Sequence, residues 1–223
     1  MSGPIGIFGG TFDPVHVGHL RSAVELQAAY RLDEIRFIPT GAPPHKDSTF
    51  ASAGLRVQML AAAIDGRNGF VLDTREIERS GPSYSVLTLE ELRAEFPERP
   101  LCLILGMDAF LGIESWHDSG RIFELAHIIV AHRPGWTLPD QGSLGQLAQE
   151  KLADNSEDLH RYTHGCLLDH DVTQLEVSSS LIRHLVADGQ DPEYLVPRLV
   201  KRIIKQSGCY APTSLPEGTR EHG

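Results

Sequence analysis

Two histidines, His16 and His19, follow closely behind a glycine-rich turn in the stretch Gly9-Gly10-Thr11-Phe12-Asp13-Pro14-Val15-His16-Val17-Gly18-His19-Leu20. On a helix, side chains at i and i+3 share a face, so both imidazoles can address one ligand. Gly9 and Gly10 let backbone N–H groups approach an anion, Thr11 adds a hydroxyl donor, and Gly18 lets a ligand come close between the rings. A helix N-terminus already favours negative charge, and imidazoles there suit the stabilisation of charge growing on phosphate oxygens. The glycine spacing is neither GxGxxG nor that of a P-loop, and no lysine follows it. Zinc would need a third ligand. His117, His132, His160, His164 and His170 stand at no spacing that completes a set with the pair, so no metal held by protein side chains is expected. By themselves these residues predict a phosphate site of donor or positive character and leave the reaction open.

Such a site needs a strand that ends at the glycines and a helix that starts at the histidines. Ile5 to Phe8 is a short apolar run, and Leu20, Val24, Leu26 and Tyr30 follow with helical spacing. The order then repeats. Strands are expected over 34–39, 70–72, 101–105 and 127–131, with helices over 55–64, 83–96, 122–125 and 144–153. The segments 166–169 and 173–177 add one or two more strands before helices over 179–187 and 197–206. Strands that are apolar throughout are covered on both faces. The alternation predicts an α/β fold with a doubly wound, mostly parallel, Rossmann-like sheet whose ligands lie beyond the carboxyl ends of the strands. Gly9 and Gly106 then share one rim. A single domain over 1–210 is expected, with a small helical C-terminal part over about 178–207. The stretch 211–223 has almost no apolar residues and two prolines and is expected to be a disordered tail.

A net charge of −10 argues against broad nucleic-acid binding, which needs clustered Lys and Arg, but a few local cations in a pocket can still hold an anionic small molecule. Cys102, Cys166 and Cys209 are scattered and odd in number, which fits a reducing cytoplasm better than a disulfide framework. The first residues lack the charged leader and apolar run of a signal peptide, and no stretch approaches the length of a membrane span, so a cytoplasmic protein without membrane or nucleic-acid partners is expected. Monomer and homodimer both stay open.

The stretch from Gly9 to Leu20 resembles the GGTFDPxHxGHL signature of the nucleotidyltransferase superfamily in its bacterial nicotinate-mononucleotide adenylyltransferase form. A second element is similar to the family's ISSTxIR: Val177-Ser178-Ser179-Ser180-Leu181-Ile182-Arg183, with Val for Ile and Ser for Thr. The resemblance extends through Pro43-Pro44-His45-Lys46, the PSYTxDTL-like Pro82 to Leu89, Gly106-Met107-Asp108, Trp116, and Arg133-Pro134-Gly135. Leu87 stands where the family carries an acid.

The resemblance implies transfer of the adenylyl group of ATP to nicotinate mononucleotide, giving nicotinate adenine dinucleotide and pyrophosphate, with Mg²⁺ accompanying ATP. It implies that His16, His19, Thr11, Lys46 and Arg183 carry catalysis. ATP is expected against Gly9, Gly10, Phe12, His16, Gly18, His19, Gly106, Asp108, Arg133, Ser179, Ser180 and Arg183. The mononucleotide is expected against Gly10, Thr11, Lys46, Ser83, Tyr84, Ser85 and Thr88, with Trp116 stacked on the pyridine. Rival readings are a relative acting on nicotinamide mononucleotide or phosphopantetheine, and a nucleotide sensor that does not turn over.

Overall fold

The computed structural model describes residues 3–41, 49–132, 135–173 and 175–212. Among the described residues six parallel strands form one sheet: β1 (Ile5–Gly10), β2 (Glu34–Pro39), β3 (Phe70–Leu72), β4 (Leu101–Gly106), β5 (His127–His132) and β6 (Leu167–Asp171). Their spatial order is β3-β2-β1-β4-β5-β6, the doubly wound arrangement in which the chain reverses direction between β1 and β4. Ligands of such sheets bind at that reversal.

The helices are α1 (Val17–Ala29), α2 (Ala53–Ile64), α3 (Arg75–Glu78), α4 (Ser85–Glu95), α5 (Met107–Leu111), α6 (Ser119–Leu125), α7 (Gly142–Lys151), α8 (Asp158–Arg161), α9 (Ser179–Ala187) and α10 (Arg198–Ser207). The strands are apolar throughout because both faces are covered, yet their side chains still alternate between two cores. On β4, Leu101, Leu103 and Leu105 enter one core with Ile5, Ile7, Leu89 and Val130, while Cys102 and Ile104 enter the other with Leu26, Phe37, Leu60 and Ile204.

Differences from the sequence expectation are local. The helix expected from Ser83 begins at Ser85, with Tyr84 extended as its N-cap. α3, α5 and α8 span only four or five residues, too short for a periodic pattern to stand out. A single strand, 167–171, forms where one or two were expected. Among the described residues, 173–177 form no strand; β6 ends at Asp171 and α9 begins at Ser179. Of the expected tail, 213–223 lie outside the described residues, as do Lys46 and Arg133.

One buried cation ties the helical layer to the sheet. The Arg56 side chain comes from α2, is 1 % exposed, and donates from Nη1 to the Thr11 carbonyl and from Nη2 to the Thr40 carbonyl, both at 2.8 Å. Thr11 follows β1 and Thr40 follows β2, so one guanidinium clamps the carboxyl ends of neighbouring strands. Arg56→Met keeps much of the volume and strands both carbonyls. It should lower unfolding stability by about 2–4 kcal/mol in urea titrations, whereas a loss well under 1 kcal/mol would mean that the clamp contributes little.

Candidate active site

The sheet opens where its chain order reverses. β1 pairs with β2 along its whole length to Gly10↔Pro39, but with β4 only as far as Ile7↔Leu103. Beyond that point the carboxyl ends of β1 and β4 part, leaving a crevice between Gly9-Gly10 and Gly106. A Cβ added at Gly9 or at Gly106 would meet nothing within 4 Å, so each faces open space across the crevice. Asp108 is exposed on the first turn of α5, immediately after Gly106.

His16 is the N-cap of α1 and has extended backbone. Its N–H, one of the donors that a helix start leaves without an intrahelical partner, donates to His19 Nδ1 at 3.3 Å. His19 therefore occupies the position, one turn in, from which a Glu or Gln side chain reaches back in a capping box. The spacing that allows two imidazoles to share a ligand also lets one of them cap the helix. The two rings stack with centroids 3.7 Å apart, and the ring of Phe12 meets His19 edge-on at 5.1 Å.

Burial lowers the pKa of His16 to about 4. For His19, burial first and the neighbouring His16 second lower it to about 3. Both rings are thus neutral around pH 7. Because Nδ1 of His19 accepts a backbone N–H, its proton belongs on Nε2, which makes the ring a neutral donor on its far side. The two histidines, with Phe8, Gly18, Ala131 and His132, line a cavity of about 220 Å³. His132, the last residue of β5, holds the carboxylates of Asp169 at 2.6 Å and Asp171 at 3.1 Å. A larger cavity of about 670 Å³, bordered by Phe123, Tyr162 and Cys166, lies by the amino end of β6, the rim that ligands of parallel sheets do not use.

The loop from Thr11 to Pro14 is held at every residue but Phe12 by a polar partner distant in sequence. Asp13 is 3 % exposed; its Oδ2 accepts the Phe50 N–H at 2.8 Å, and its Oδ1 accepts the Ala51 N–H at 3.1 Å and the Tyr210 hydroxyl at 2.6 Å. The Asp13 carbonyl accepts Arg183 Nη1 at 2.7 Å, and the Pro14 carbonyl accepts the Ser179 hydroxyl at 2.9 Å. Arg183 also donates to Ser180 Oγ at 3.0 Å and lies over the Phe50 ring at 4.4 Å.

Several expected contacts change character here. Phe12 is 2 % exposed and packs among Phe8, Phe37 and His19, so its ring is a wall and only its backbone can meet a ligand. The Thr88 hydroxyl was expected on the mononucleotide, but Thr88 is 3 % exposed and its hydroxyl is spent, donating to Glu76 at 2.8 Å and accepting from Arg79 at 3.2 Å. Ser178 caps α9 by accepting the Leu181 N–H at 3.1 Å, and the Ser179 hydroxyl is engaged by the Pro14 carbonyl. Ser83 Oγ accepts the Gly41 N–H at 3.0 Å, fixing the start of the 41–49 connection. Tyr84 stacks on His117 with centroids 4.4 Å apart, and half-buried Trp116 packs on the same core edge. Ser85 opens α4. Arg56, the Asp13 carboxylate and Tyr210 were not singled out in the sequence, since a lone Arg, Asp or Tyr carries no spacing signal.

A doubly wound parallel sheet with an HxGH pair at the first helix start, glycines facing the open crevice and a Ser-capped helix beside it defines an α/β nucleotidyltransferase. The cytidylyltransferase-like family matches residues 7–185. A probable nicotinate-nucleotide adenylyltransferase of Aeromonas hydrophila is 44 % identical over 209 residues, covering 94 % of this chain and 98 % of that one. Its counterpart in Methylococcus capsulatus is 42 % identical, covering 93 % and 99 %. The solved structure of Plasmodium falciparum nicotinic acid mononucleotide adenylyltransferase complexed with NaAD shares the fold, with a TM-score of 0.71 at 18 % identity over 93 % of this chain and 97 % of that one. The chain belongs to the nicotinate-nucleotide adenylyltransferase family and is a nucleotidyltransferase.

Neutral buried histidines make stability depend on pH. Above about pH 6.5 the rings are neutral in both folded and unfolded chains. As pH falls towards 4 the unfolded chain takes up protons that the folded one refuses, so stability is lost on acidification. His127 adds to this slope, its pKa also lowered to about 4 chiefly by burial. His19→Asn should flatten the fall of the urea midpoint between about pH 7 and pH 5; an unchanged slope would mean that His19 is not held neutral.

Proposed function

We propose that this enzyme transfers the adenylyl group of ATP to nicotinate mononucleotide. The observation that carries the reading is the pair of stacked, neutral imidazoles at the start of α1, lining a cavity beside the opening between β1 and β4. Support for this acceptor comes from relatives that match along nearly their whole length and bear the name of that activity.

In the proposed step, a phosphate oxygen of the mononucleotide attacks the α-phosphorus of ATP in line. One P–O bond forms, the bond to the β-phosphate oxygen breaks, and pyrophosphate leaves. The attacking oxygen is already anionic at neutral pH, so no strong base is needed, and alignment with charge stabilisation supplies the rate. His19 and His16 donate neutral hydrogen bonds to phosphate oxygens as charge grows on them. Thr11, Lys46 and Arg183 share that work, and Gly9 and Gly106 give the nucleotide room, while Gly10 and Gly18 offer it backbone and instead make room for the Phe12 ring and for His16 and Val177. Arg183 would address phosphate while still bonded to the Asp13 carbonyl, since a guanidinium has donors to spare. Asp108 accepts a ribose hydroxyl, and Arg133 and the α9 start with Ser179 and Ser180 complete the ATP side. Ser83, Tyr84 and Ser85 receive the mononucleotide, with Trp116 against the pyridine.

Mg²⁺ is proposed to enter with ATP as part of the substrate. Among the described residues no group of three or more His, Cys, Asp and Glu side chains is arranged to hold a metal ion, and no step here runs through one. Nor is any described helix long and apolar enough to cross a membrane. A single domain over 1–210 working in the cytoplasm is part of the same proposal.

Pyrophosphate release from ATP with nicotinate mononucleotide, with nicotinamide mononucleotide and with neither acceptor tests the reading. Release should depend on the acceptor and favour the nicotinate form; release with neither mononucleotide would overturn it. In the same assay His19→Ala should lose about 10²–10³ in kcat while substrate binding survives better. Because both rings titrate at about 4 and about 3, kcat/KM of the native protein should show no falling limb from these histidines between about pH 8 and pH 5. A limb near 6.5 that disappears in His19→Ala would make that ring a base.

A further inference from the structure

We infer that Tyr210 is a positioning residue for adenylyl transfer, its hydroxyl fixing the Asp13 carboxylate and, through it, the loop that delivers His16 and His19. The inference rests on the function proposed above. Asp13 lies within three residues of His16 and is almost wholly out of water, where an ionised carboxylate persists only if its lone pairs are filled. Two of its donors are the backbone N–H groups of Phe50 and Ala51. The third, the Tyr210 hydroxyl at 2.6 Å, is the shortest of the three and the only side chain among them.

The chain puts that hydroxyl there at a cost. After α10, Gly208 takes the left-handed conformation that ends the helix, and Tyr210 follows with φ of 77°, a region in which a bulky residue is an outlier. Strain of this kind persists only where the surroundings over-determine it. The surroundings here are rigid: α10 buries Val200 and Ile204 in the core that also holds Met59 and Leu60 of α2, the helix that supplies Arg56. The Tyr210 phenol therefore joins the C-terminal helix to the same loop that Arg56 grips at Thr11 and Arg183 grips at the Asp13 carbonyl. Burial and the adjoining carboxylate push the ionisation of the phenol far up, so the hydroxyl stays a donor across the working pH range.

If Tyr210 acts through Asp13, removing only its oxygen frees one oxygen of the carboxylate and lets the loop shift while ring packing and fold survive. The test uses full-length protein as Tyr210→Phe, Asp13→Asn and the double variant, with thermal unfolding to show that each is folded. Tyr210→Phe should lower kcat about tenfold, the scale of one hydrogen bond to a charged group, with the KM for ATP nearly unchanged. In substrate-free protein its ring resonances for His16 and His19 should move. Those of His127, whose nitrogens bond the Tyr162 carbonyl and the Cys166 N–H, should stay. Added to Asp13→Asn, the Tyr210 change should cost little more, because both remove one interaction. Unmoved His16 and His19 resonances in folded Tyr210→Phe, an undiminished kcat, or additive losses would overturn the inference. Should the native protein release no pyrophosphate with either mononucleotide, the function fails while the ring resonances still decide what Tyr210 does.

Discussion

A guanidinium withdrawn from water and shared between two carbonyls is the interaction on which the site depends. Burial makes the charged form of Arg56 harder to keep and lowers its pKa, while the nearby Asp13 carboxylate acts in the opposite direction. What holds the charge in place is the pair of charge-assisted bonds to Thr11 and Thr40. Parallel strands have no pairing beyond their carboxyl ends, so backbone there must be satisfied by something else. Here α2 provides it, and the loop before His16 inherits the rigidity of a packed helix instead of the mobility of a surface turn.

The same loop explains why the histidines are neutral donors. Their rings stack in contact, walled by Phe12, so two charges there would be close together and poorly hydrated. Neutral rings avoid that cost and, in the proposed step, keep a hydrogen-bond donor ready for charge that exists only in the transition state. An arrangement that must not reorganise during reaction has to be fixed beforehand. The bonds to Asp13 and Pro14 do this from two sides, Arg183 and Ser179 on α9 and Phe50 and Ala51 before α2.

The opening between β1 and β4 is made by where pairing stops. β1 and β4 share register only from Ile5 to Ile7, and beyond it Gly9, one residue before the end of β1, and Gly106, the last of β4, each have open space where a Cβ would stand. Buried Glu76 and Thr88 bond one another beside half-buried Arg79; burial raises the pKa of Glu76, and the Thr88 hydroxyl is its donor. With its hydroxyl spent in this set, Thr88 is a structural residue of α4.

Much of this protein was legible from local pattern. The apolar runs at Glu34–Pro39 and Phe70–Leu72 coincide with β2 and β3, and 179–187 coincides with α9, because period and punctuation are properties of neighbouring residues. The HVGH spacing alone put two imidazoles at a helix start behind a glycine turn. Tertiary structure alone decided what holds them. Asp13 meets Tyr210 across 197 positions and Arg183 across 170, and Arg56 meets Thr11 across 45. Sequence spacing says nothing about such pairs, since only the order of strands and the packing of α2, α9 and α10 bring them together. Ionisation belongs with them. A histidine in a sequence carries its ordinary pKa, and whether it is a cation or a neutral donor is settled by the water that folding removes.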